Sequence, residues 1–67
     1  MTREEIGANA GAVWNALNGN GTLSVKNLKK VTKLKDKQIF AALGWLAREG
    51  KVSMNETETD VDVTLVG

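Results

Sequence analysis

Sixty-seven residues carrying a net charge of +1 make one small domain, residues 1–67, near the lower limit at which a single apolar core holds without staples. The chain has no cysteine and no histidine, which excludes a disulfide framework, thiolate or imidazole metal sites, and Cys–His or Ser–His nucleophilic chemistry. Its carboxylates form no helix-spaced cluster either, so the chain reads as non-enzymatic, with no metal, cofactor or small-molecule ligand expected.

Ile6, Ala10, Val13, Trp14 and Leu17 recur at helical spacing and predict an amphipathic first helix. Thr2 is its expected N-cap, Glu4 and Glu5 suit its first turn, and Asn18-Gly19-Asn20-Gly21 is expected to end it. That loop fails as a calcium site: with Gly21 at the invariant glycine position, Ala16 falls on the first ligand and Asn27 on the twelfth. Thr22-Leu23 reads as a short extended piece. Ser24 then caps a second helix, Val25 to Thr32, that buries Val25, Leu28 and Val31 and turns its lysines outward. After a tight turn at Thr32-Lys33-Leu34, a third helix is expected over residues 36–49, with Gly50 as its C-terminal stop. Val52, Met54 and, beyond a polar turn, Val61, Val63 and Leu65 alternate with polar residues, the pattern of a two-stranded hairpin with one face on the core.

The longest apolar run, residues 39–47, is too short to span a membrane. MTREEIGANA lacks the layout of a signal peptide, so a cytoplasmic location is expected and the sequon Asn55-Glu56-Thr57 carries no weight.

The order helix, short strand, helix, turn, helix, hairpin is an α+β arrangement: a winged helix-turn-helix of three helices with a short strand and a C-terminal β-hairpin wing. Leu23, Val25, Leu28, Val31, Leu34, Ile39, Leu43, Leu46, Gly50 and Val52 fall where that superfamily keeps its hydrophobic skeleton. ALGWLAREGKV, residues 42–52, resembles the signature of a family of small stand-alone bacterial winged-helix proteins of unknown function, with LGWLAREGK as its most specific string. The resemblance covers nearly the whole chain. It implies the fold and carries no substrate or ligand; DNA as a partner is implied only by analogy with the wider superfamily.

Two surfaces then compete for a functional role. Lys26, Lys29, Lys30, Lys33, Lys35 and Lys37 stand against one nearby acid, Asp36, and could neutralise about three to five phosphates in a salt-sensitive, largely sequence-independent manner. Lys37 and Gln38 lie at the start of the third helix, where winged-helix proteins read base edges. Against deep groove binding, the turn Thr57-Glu58-Thr59-Asp60, flanked by Glu56 and Asp62, would repel a phosphate backbone. The second surface is the outer face of the third helix. Phe40, Ala41, Gly44, Trp45 and Arg48 combine close-approach residues with two aromatics and an arginine, a composition enriched at interface hot spots. That face implies a homodimer or another protein partner, unless the hairpin and the N-terminal turn cover Phe40 or Trp45 within the chain. A regulator-like nucleic-acid-binding module ranks first and a protein-interaction module second.

Overall fold

The computed structural model describes residues 1–66. Thr2 opens α1, Arg3–Asn20, through a reciprocal capping box. Glu5 N–H donates to Thr2 Oγ1 at 3.1 Å, and Thr2 N–H donates to Glu5 Oε1 at 3.0 Å. The helix runs on through Asn18, Gly19 and Asn20, which were expected to end it. Asn20 Nδ2 donates to the Ala16 carbonyl at 2.8 Å, tying this side chain back onto the last turn of the helix. Only Gly21, at φ 83° and ψ −75°, turns the chain away.

The remaining elements are β1 (Thr22–Ser24), α2 (Val25–Thr32), α3 (Asp36–Arg48), β2 (Val52–Glu56) and β3 (Val61–Leu65). The hairpin expected from residues 52–65 is part of a larger sheet. β1 pairs antiparallel with β3, giving three strands in the order β1-β3-β2. Leu23 and Met54 both face Val63 across this sheet, and the hydroxyls of Thr22 and Thr64 meet at 2.9 Å.

α1 packs mainly on α3, and Val13, Leu17, Leu28, Ile39, Leu43 and Val63 are wholly buried between the helices and the sheet. α3 contributes Ile39, Ala42, Leu43 and Leu46, a stripe at the three- and four-residue spacing of one helix face. Three side chains expected in the core are not there: Val31 is 55% exposed, Met54 44% and Trp14 37%. α2 is eight residues long and buries only Val25 and Leu28, so Val31 falls beyond its buried stripe. Met54 lies on the edge strand, while Trp14 flanks the line that Ala10, Val13 and Leu17 bury.

α3 ends in a Schellman motif. Lys51 N–H donates to the Leu46 carbonyl at 2.9 Å and Gly50 N–H to that of Ala47 at 3.0 Å, with Gly50 at φ 70°. This reversal delivers the chain straight into β2 and fixes the wing relative to the third helix. Among the described residues no helix is long and apolar enough to cross a membrane.

Candidate nucleic-acid interface

The first turn of α2 is capped from two directions. Ser24 Oγ accepts from Asn27 N–H, and Asp60 Oδ2, on the wing turn, accepts from Lys26 N–H, each at 3.2 Å. Asp60 Oδ1 also accepts from Val61 N–H at 2.7 Å. Thr57 closes the turn: its N–H and hydroxyl donate to the Asp60 carbonyl at 2.7 and 2.9 Å, and Asp60 N–H donates back to Thr57 Oγ1 at 3.0 Å. The tip of the wing is thereby clasped to the N-terminus of α2, where free amides and the helix dipole favour a carboxylate.

The Val61 N–H, with smaller contributions from the Lys26 N–H, the Ser24 hydroxyl and the Val25 N–H, holds the Asp60 carboxyl below its ordinary pKa of 3.8, against a smaller opposing effect of desolvation. A pKa lower in the folded than in the unfolded state stabilises fully above the unfolded value, and the contribution is lost as pH falls through the folded one. Glu5 is lowered too, first by the Thr2 N–H. The urea midpoint is therefore expected to drop between about pH 6 and about pH 3. Asp60→Asn should remove part of that drop and leave the part due to Glu5. An unchanged drop in the variant would show that the clasp does not stabilise the fold.

The lysines fan out from this clasped corner. Lys26, Lys30, Lys33, Lys35 and Lys37 are exposed. Lys33 ends α2 in the left-handed conformation at φ 64°. Lys29 differs: its Nζ lies 2.8 Å from Asp36 Oδ1 in a partly exposed ion pair, an interaction of small stabilising worth at such exposure. Gln38 is half-buried, and its Oε1 accepts from Lys35 N–H at 2.9 Å to cap α3. Bidentate recognition of adenine uses both the oxygen and the nitrogen of an amide, so Gln38 reads a base that way only by giving up the cap. The glutamine three residues after Lys35 is the sequence signal for this role.

On the outer face of α3, Phe40, Gly44 and Arg48 lie four residues apart and exposed, Phe40 at 51%. Ala41 and Trp45 are half-buried. Trp45 packs on the core and against α1, where a Cβ placed on Gly7 would touch its ring at 3.6 Å. The backbone of α1 at Gly7 thus runs beside the indole, and cover from α1 leaves Trp45 half-buried. Phe40 instead borders a shallow groove of about 300 Å³ with Lys26, Lys29 and Asp36 on the helical side and Thr59 and Asp60 on the wing side.

A three-residue turn between α2 and α3, with a hairpin clasped beside them, defines this as a winged helix-turn-helix protein. Over residues 1–65 the chain matches the family described as Winged helix-turn-helix domain (DUF2582), and it belongs to that family. Among solved structures it is similar to protein BT2368 from Bacteroides thetaiotaomicron, determined by solution NMR, with 35% identity and a TM-score of 0.85. The match covers 97% of this chain and 79% of that one. No curated protein matches it.

Proposed function

We propose that this domain is a non-enzymatic, cytoplasmic nucleic-acid-binding module that holds the phosphate backbone through the lysines of α2, the turn and the start of α3, with little sequence preference. The observation that carries this reading is the exposure of Lys26, Lys30, Lys33, Lys35 and Lys37 within one stretch of twelve residues, none of them ion-paired among the described residues. Titration with an arbitrary DNA at rising salt tests it. Log K should fall against log salt with a slope of about −3 to −4, and Lys30→Glu with Lys33→Glu should flatten that slope by about two. Absence of binding at low salt overturns the proposal.

A second reading, self-association through the outer face of α3, is favoured by the exposed ring of Phe40 beside Gly44 and Arg48, with Ala41 and Trp45 at its margin. Sedimentation equilibrium decides it. A mass that stays at 7.2 kDa at all concentrations removes it, and a dimer dispersed by Phe40→Glu supports it.

A further inference from the structure

We infer that Phe40 is a base-stacking platform and that the ligand of this surface is a single-stranded nucleic acid; the inference rests on the nucleic-acid reading above and names its substrate class. Phe40 projects half its surface into solvent from the middle of a helix whose other large apolar residues are buried or packed on the core. Lys26 and Lys29 share its groove with Asp36 and Asp60, Asp36 paired to Lys29 and Asp60 held by backbone amides. Lys37, unpaired among the described residues, lies three residues before Phe40, one turn back on the same side of α3. An aromatic face beside unpaired cations, here Lys26 and Lys37, is what a backbone-tracking, base-stacking site is made of. Next to Phe40 stand Gly44 and Ala47, which offer no hydrogen bond to a base edge; Arg48, one turn beyond Gly44, is a donor on that face. Stacking needs none, because every base has a π-face.

Charge decides between one strand and two. With α3 in the major groove of a duplex, one backbone runs past the helical side of the groove and the other past the wing. The helical side bears the lysines, of which Asp36 pairs only Lys29. The wing side bears Asp60 in the clasp, with Glu56 and Glu58 exposed on the same hairpin, and a second backbone there meets like charge. A single strand has one backbone to place. Its phosphates take the lysine side and an unstacked base turns onto Phe40, leaving the acidic hairpin in solvent.

The test measures affinities of the full chain by fluorescence anisotropy, at low salt, for labelled oligothymidine, for the same oligonucleotide made abasic, and for a duplex of equal length. Oligothymidine should bind at least several-fold tighter than the duplex. Phe40→Ala should lower its affinity roughly tenfold or more, and Phe40→Trp should restore it. On the abasic strand, which keeps the phosphates and lacks the bases, Phe40→Ala should change nothing. Position 40 is exposed, and a thermal melt confirms that each variant is folded. Equal or tighter duplex binding, or equal loss on the abasic strand, overturns the stacking inference and leaves lysine-driven binding standing. Failure of every probe to bind overturns both. A change in sedimentation mass with Phe40→Ala, without a change in oligothymidine affinity, overturns the inference in favour of a protein contact.

Discussion

Leu28→Ala is expected to leave the domain largely unfolded at room temperature. Leu28 is wholly buried, and with Val25 it is one of only two side chains by which α2 reaches the core. Truncating a buried leucine costs roughly 2–5 kcal/mol, because transfer energy is lost and the cavity collapses only in part. A core this small rarely supplies more than about 3–5 kcal/mol in total. Urea denaturation followed by helical circular dichroism should place the midpoint of the variant close to zero denaturant. The control lies one turn along the same helix. Val31→Ala removes an equally apolar side chain that is 55% exposed and should move stability by no more than about 0.5 kcal/mol. A cooperative unfolding curve for Leu28→Ala near that of the parent would mean that α2 is not anchored as described.

Replacing glycine by alanine should have opposite signs at two positions. Gly21 sits at φ 83° and ψ −75°, a region closed to residues with a Cβ unless strain is accepted, so Gly21→Ala should destabilise by about 1–3 kcal/mol. A Cβ there meets nothing within 4 Å, so the cost is one of backbone conformation alone. Gly44 lies inside α3, exposed, with equally open space around it. There the methyl group restricts the unfolded chain and suits the helix, and Gly44→Ala should stabilise by about 0.5–1 kcal/mol. Midpoints shifting in the same direction would show that Gly21 does not hold the reversal between α1 and β1.

The elements were legible wherever their signals are local. Ser24 and the Val25/Leu28 spacing mark α2, and Gly50 marks the end of α3 one residue after the observed cap at Glu49. What stayed hidden depends on distant partners. Nothing near Thr22 announces that it will pair with Thr64, so β1 reads only as an extended piece. Asp60 reads as one more repelling acid on the wing, because Lys26 N–H, which it caps, is 34 positions away. On a helical wheel Trp45 points away from the core; what half-covers it is α1, whose backbone passes beside its ring at Gly7. Phe40 and Trp45 look interchangeable as outward aromatics, and only the packing of α1 on α3 separates the covered ring from the free one. The run of lysines is visible in the sequence, whereas the pairing of Lys29 with Asp36 and the capping duty of Gln38 emerged from geometry.

The sheet order has a consequence for how the fold is completed. β3 lies between β1 and β2, so the strand that both neighbours need follows both of them in the chain. A chain folded without the residues beyond Asp60 holds all three helical segments, but β1 and β2 have no partner to bond. Val63, wholly buried, is still missing from the core. Until β3 arrives, two strand segments present open hydrogen-bonding edges, the feature that makes incomplete chains prone to wrong association. Closing the sheet therefore falls to five residues, Val61–Leu65. Trimming the chain back into them removes the middle of the sheet rather than its rim.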